Sequence, residues 1–158
     1  MAPSVGDKAP GFTIFNSADS APVSLSDYAG KNVVLAFYPA AYSGVCDTEM
    51  CTFRDSLAEF NSLGADVLGI SVDPPKANAH FAEENGLNFP ILSDIHHEAI
   101  KAYGIEFDGF AGIEGYTVAL RSVFVIDKSG NVAWSWITDS QGNQPPYDEV
   151  QAAVKALG

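Results

Sequence analysis

Hydrophobic positions recur along this chain with two different periods, and the switches between them outline a fold. Val33-Val34-Leu35-Ala36-Phe37-Tyr38 is a continuous apolar run, entered from Ala29-Gly30-Lys31-Asn32 and stopped by Pro39, which predicts a strand buried on both faces. From Thr48 to Leu63 the apolar positions Met50, Phe53, Leu57, Phe60 and Leu63 fall three and four apart, the period of an amphipathic helix, and Gly64 ends it. Val67-Leu68-Gly69-Ile70-Ser71-Val72 reads as a second buried strand, so strand, helix and strand form a right-handed parallel crossover. Beyond Asp73-Pro74-Pro75, the segment Lys76 to Asn85 reads as a helix closed by Gly86, and Ile91-Leu92 as a short strand. His96 to Tyr103 predicts another short helix, stopped by Gly104. Residues 105 to 117 scatter Gly109, Gly112 and Gly115 among aromatics and predict a long irregular loop. Ser122 to Ile126 and Val132 to Ile137 flank Asp127-Lys128-Ser129-Gly130-Asn131 as a hairpin. Tyr147 to Leu157, with Val150, Val154 and Leu157 apolar, predicts a last helix. The expected class is α/β, a mixed sheet with helices on both faces.

Composition narrows the function classes. A chain of 158 residues fits one domain that buries about 70% of its unfolded surface. Twenty acidic against eight basic side chains give a net charge of −12, whose field repels phosphate backbones and anionic lipid, so neither nucleic acid nor membrane is expected as a partner. Met1 to Gly11 carries no basic flank and no apolar run, which points to a cytoplasmic protein, and no apolar run approaches the length of a membrane span. Only two cysteines occur, Cys46 and Cys51, so a disulfide-dense scaffold is excluded.

The stretch Tyr38-Pro39-Ala40-Ala41-Tyr42-Ser43-Gly44-Val45-Cys46-Asp47-Thr48-Glu49-Met50-Cys51 joins the end of the first buried strand to the long helix. Ligands of open α/β sheets bind at such strand ends. A cysteine in the first turn of a helix lies near unpaired N–H groups and the positive end of the helix dipole, both of which favour a thiolate.

Pro39-x-x-x-Ser43-x-x-Cys46 resembles the active-site signature of the peroxiredoxins, and a second cysteine five positions on, Cys51, resembles the Q-type, bacterioferritin-comigratory-protein-like subfamily. The likeness extends to Gly6-Asp7-Lys8-Ala9-Pro10-Gly11-Phe12, to Leu25-Ser26-Asp27-Tyr28 and to Arg121-Ser122-Val123-Phe124-Val125-Ile126-Asp127. It implies a thioredoxin-like fold and a thiol-dependent peroxidase acting on hydrogen peroxide and organic hydroperoxides. Cys46 would be the peroxidatic nucleophile, and Ser43 would place its hydroxyl near sulfur and peroxide. Pro39 would shield the sulfur from water, Arg121 would bring a permanent positive charge to the thiolate and the transition state, and Glu49 would orient the arginine. The backbone N–H of Cys46 would complete the oxygen cradle. No metal, haem, flavin or other cofactor is implied, because the sulfur carries the redox chemistry itself.

The resemblance also implies that Cys51 condenses with the oxidised Cys46 and that thioredoxin or another dithiol reduces the product. Five residues along an α-helix rise about 7.5 Å and turn about 500°, so a Cys46–Cys51 bond requires the first turns to unwind. Gly44, Val45, Asp47 and Thr48 are weak helix formers, which makes that unwinding comparatively easy. Alternatives remain open at this level: a one-cysteine cycle resolved by an external thiol, a thioredoxin-like disulfide oxidoreductase, or a redox-inactive binding module. The second would normally space its cysteines three apart rather than five. The chain is expected to act as a monomer or homodimer.

Bland roles are expected elsewhere. His96-His97 lacks ligands at a usable spacing and reads as a helix face or cap. Arg54-Asp55 reads as a charged helix face, with Arg54 close enough to Cys46 to tune it. Trp134 and Trp136 share one face of a strand, and Phe107, Phe110 and Tyr116 either line an entrance or plug the core.

Overall fold

The computed structural model describes the backbone of residues 1–158 and all side chains but that of Cys46. In chain order the elements are β1 (Thr13–Asn16), β2 (Pro22–Ser24), β3 (Asn32–Phe37), α1 (Val45–Ser62), β4 (Ala65–Ser71), α2 (Pro75–Glu84), β5 (Ile91–Ser93), α3 (Glu98–Ala102), β6 (Glu106–Phe107), β7 (Val118–Ala119), β8 (Ser122–Ile126), β9 (Val132–Ile137) and α4 (Tyr147–Ala156). Seven strands form one sheet in the order β2-β1-β5-β4-β3-β8-β9. β3, β4 and β5 run parallel, while β8 and β9 on one side and β1 and β2 on the other are antiparallel.

The unbroken apolar run of β3 follows from this placement at the centre of the sheet. Val33, Leu35 and Phe37 enter one core with Phe12, Ile14, Ile100, Tyr103 and Phe124. Val34, Ala36 and Tyr38 enter the other with Met50, Phe53 and Phe60 of α1, Phe81 of α2, and Val150 and Val154 of α4. Three helices therefore cover one face, and α3 covers part of the other through Ala99 and Ile100. Trp134 and Trp136 pack together on the α1 side, as their alternation predicts.

The structure departs from the sequence reading at several points. β1 and β2 escaped it, being strands of four and three residues with no run of residues buried on both faces, β2 at the sheet edge and β1 next to it. Helix α1 begins at Val45, three residues ahead of Thr48, where the apolar period places its start, and five ahead of Met50, the first residue of the stripe. Residues 105 to 117 are not wholly irregular: β6 pairs with β7, and a short 3-10 turn spans Phe110–Gly112. The expected helix from His96 is shorter, because Asp94 accepts the N–H groups of Ala99 and Ile100 at 3.0 and 2.9 Å and fixes the first turn there. His97 takes a left-handed conformation at the cap of α3, and His96 meets the Phe15 ring edge-on at 6.2 Å, so neither lies on a helix face. Among the described residues no helix is long and apolar enough to cross a membrane.

Candidate active site

β3 ends at the middle of the sheet edge where parallel strands present their C-termini. Tyr38 extends it by donating its N–H to the Ile70 carbonyl at 3.0 Å, and Pro39 and Ala40 remain buried beyond it. The chain then turns through residues 41–44 into α1. Gly44, at the N-cap, has φ 76° and ψ −74°, a conformation open to glycine and costly for a residue with a Cβ.

Side-chain hydrogen bonds pin this turn from both sides. Asp73 Oδ2 accepts the Ala41 N–H at 2.8 Å and the Ser71 hydroxyl at 2.7 Å. Behind it, Asn78 donates to Ser71 Oγ at 3.0 Å and Ser93 Oγ at 2.9 Å, and accepts from the Tyr38 hydroxyl at 2.7 Å. Outside, the Tyr42 hydroxyl lies 2.6 Å from His80 Nδ1, and its ring packs edge-on against Phe81. Ser43 Oγ donates to the Ala40 carbonyl at 2.8 Å. A loop held at consecutive residues fixes the start of α1, and with it the unpaired N–H groups of the first turn. Cys46 is the second residue of that helix; the role expected of its sulfur lies outside the described side chains.

Arg121 stands immediately before β8, and its guanidinium is almost wholly buried. Its Nη1 donates to Glu49 Oε1 at 2.6 Å, with 2% and 0% of the two side chains exposed. Glu49 lies in α1, one turn beyond Cys46, so a contact across 72 residues ties the arginine to the helix that carries the cysteine. Nε and Nη2 of Arg121 both donate to the Gln141 carbonyl, at 3.2 and 3.1 Å. Burial pushes the Glu49 carboxyl up from 4.5 to about 7, against the pull of Arg121 toward the ionised form. A folded-state pKa above the unfolded one means that the folded protein holds this proton more tightly. The associated stability is complete below about 4.5 and is lost as pH rises through about 7. Glu49→Gln, which has no such proton, is therefore expected to gain thermal stability relative to the unsubstituted protein as pH rises across that window. Paired melting curves at intervals of half a pH unit measure it.

Cys51 is half-buried, with its thiol 3.6 Å from Asn85 Oδ1. Arg54 donates to the Asn85 carbonyl at 2.6 Å and to Asp55 at 2.9 Å, so it braces α1 against the end of α2 as well as forming a charged face. Phe107 and Phe110 line a cavity of about 470 Å³ together with Leu120 and Gln141. Tyr116 meets Phe110 edge-on at 5.5 Å. The structure thus brings Arg121 and Glu49 together, sets Ser43 and Pro39 in the turn before α1, and leaves Cys51 on the side of α1 that faces α2. Asp73, Asn78 and Gln141 were not foreseen. The Asp73-Pro74-Pro75 turn was the sole hint of the first two, and nothing in the sequence hinted at Gln141.

The backbone thus carries Cys46 on a helix at the C-terminal edge of a mixed sheet, one turn from a buried arginine–glutamate pair. Residues 5–135 match the AhpC/TSA family. A putative peroxiredoxin of Mycobacterium tuberculosis H37Rv is 44% identical over 129 residues, covering 80% of each chain. The putative peroxiredoxin bcp of Haemophilus influenzae is 42% identical over 129 residues, covering 82% of this chain and 83% of its own. The crystal structure of peroxidoxin BcpB from Mycobacterium tuberculosis superposes with a TM-score of 0.85 at 30% identity, covering 99% of both chains. The chain belongs to the AhpC/TSA family and is a peroxiredoxin, related to the bacterioferritin-comigratory, Q-type members. It is a peroxidase that reduces hydroperoxides at the expense of a thiol.

Proposed function

We propose that Cys46 is the peroxidatic nucleophile, that Arg121 and Ser43 hold the peroxide, and that Cys51 resolves the oxidised enzyme within the same chain. The observation that carries this reading is the buried Arg121–Glu49 pair at 2.6 Å, anchored one helical turn from Cys46. A fixed guanidinium, added to the N-terminal N–H groups of α1, supplies positive potential to a thiolate in a chain of net charge −12. The thiolate attacks the terminal oxygen of the hydroperoxide; the S–O bond forms as the O–O bond breaks, and the alkoxide or hydroxide leaves as alcohol or water after taking a proton. Charge moves from sulfur onto the peroxide oxygens during this step, and guanidinium donors meet it there. Pro39 excludes water from the turn and offers no N–H that would need a partner.

Cys46 sulfenic acid then condenses with the Cys51 thiol, releasing water and forming a disulfide. This requires the first turns of α1 to open and the Cys51–Asn85 contact to break. A dithiol such as thioredoxin returns both cysteines to thiols by exchange. Pro39, Ser43, Glu49 and Arg121 form the substrate site in this reading, which takes place in the cytoplasm. The test is steady-state turnover with a thioredoxin-type dithiol. Cys51→Ser is expected to keep its first, stoichiometric reaction with peroxide but to lose turnover by about tenfold or more, since the resolving sulfur is no longer held at high effective concentration. Unchanged turnover, or intermolecular disulfides alone in the unsubstituted protein, would replace this cycle by a one-cysteine cycle.

A further inference from the structure

The peroxiredoxin signature accounts for Arg121 and Glu49, but not for how the guanidinium is held on its other side. After β9 the chain continues for one residue along β8, Thr138 donating its N–H to the Arg121 carbonyl at 2.9 Å, and then leaves the sheet. It turns tightly: Thr138 Oγ1 contacts the Ser140 carbonyl and accepts the Ser140 N–H at 3.0 Å, and Asn143 donates its side-chain amide to Asp139 at 2.8 Å. The turn brings Gln141 back over the segment before β8.

There its side-chain carboxamide accepts the Arg121 N–H at 3.0 Å and donates to the Ala119 carbonyl at 3.1 Å. Those two groups flank Leu120 and are the pair that a residue of a parallel neighbouring strand would engage, so one side chain substitutes for a missing strand. On the other side of this segment, Leu120 donates its N–H to the Ile105 carbonyl at 2.7 Å. Held in this way, Gln141 directs its own main-chain carbonyl at Nε and Nη2 of Arg121. Of the five N–H donors of a guanidinium, at least three are committed between Gln141 and Glu49, and a planar group fixed on two edges has no rotational freedom.

We propose that Gln141 is a positioning residue of the peroxidase reaction: its side chain clamps the 139–143 turn to the Arg121 backbone, so that the Gln141 carbonyl and Glu49 together fix the orientation of the guanidinium. This rests on the reading in which Arg121 stabilises the peroxide transition state. Glutamine is suited to the clamp because it both donates and accepts. Glutamate would set a carboxylate against the Ala119 carbonyl, and methionine would keep the bulk and lose both bonds.

The test compares Gln141→Ala, Gln141→Met and Gln141→Glu, each alone and with Arg121→Lys, by stopped-flow with hydrogen peroxide and by alkylation with iodoacetamide. Melting temperatures select folded variants. Each single variant is expected to lose about 5- to 30-fold in peroxide rate constant, with a smaller change in alkylation, which needs the thiolate but not the arginine's hold on peroxide. In the Arg121→Lys background the Gln141 substitutions are expected to cost less than twofold, because lysine has no Nε–H or Nη2–H for the carbonyl to hold. Peroxide rates within twofold of the unsubstituted protein in folded single variants would overturn the inference. So would losses that simply add to that of Arg121→Lys, or that alkylation shares in full. If the unsubstituted protein consumes no peroxide, or Cys46→Ser still consumes it, the underlying reading fails instead.

Discussion

Fully reduced protein carrying Cys46→Ser is expected to lose peroxide consumption by at least about 10³-fold, to the background of an ordinary thiol, although Cys51 is still present. The two cysteines lie on one helix five residues apart, yet their surroundings differ in kind. Cys46 is in the first turn of α1, where N–H groups lack intrahelical partners and a buried guanidinium is anchored one turn away. Cys51 lies past that turn, its thiol spent on a contact with Asn85. Serine keeps the size of the side chain, so folding is expected to be unaffected. Stoichiometric peroxide loss measured against protein thiol checks the expectation, and residual consumption near that of the unsubstituted protein would transfer the nucleophile's role to Cys51.

Arg121→Met is expected to lower the second-order rate constant with hydrogen peroxide by about 10²- to 10³-fold, the range found when a preorganised donor to a developing anion is removed. It also removes the partner of a fully buried carboxylate. Breaking a buried pair by deleting one member costs about 3–5 kcal/mol. Glu49 can escape part of that cost by taking up a proton, which burial already favours, so the loss of stability is expected to be smaller below pH 7 than above it. Arg121→Lys is expected to restore charge without the planar fork and to recover the rate only in part. Stopped-flow rates and denaturant melts at pH 6 and pH 8 separate the two effects. A rate unchanged by Arg121→Met would remove the arginine from the site.

How much of this was legible in the sequence follows from the range of each interaction. β3 and β4 announced themselves because both faces are buried, which makes the apolar run continuous, and α1 because Met50, Phe53 and Phe60 all enter one core. β1, β2, β6 and β7 did not, since strands of two to four residues have too few positions to set up a period. The start of α1 was misplaced because its first turn carries no core residue; it is fixed by the left-handed Gly44 and by the clamps on Ala41, Tyr42 and Ser43. Pro39, Ser43, Glu49 and Arg121 entered as candidates through the resemblance to a family, not through spacing. A contact across 72 residues leaves no local trace. Asp73 reads locally as the punctuation before a helix, and its hold on Ala41 depends on where β4 ends beside β3. Gln141 was out of reach entirely, because its side chain clamps backbone groups of Ala119 and Arg121 about 20 residues away, and such groups are carried by every residue type.

The central claim is that oxidation begins on Cys46 and ends on Cys51. Rapid mixing of the reduced protein with one equivalent of hydrogen peroxide, quenched with a sulfenic-acid-trapping 1,3-dione and followed by peptide mass analysis, tests it most directly. Cys51→Ser is predicted to yield the trapped adduct at Cys46, and the unsubstituted protein an intramolecular Cys46–Cys51 disulfide with almost no adduct. An adduct on Cys51 in the unsubstituted protein, or a Cys46 peptide left unmodified while the peroxide persists, would contradict the account.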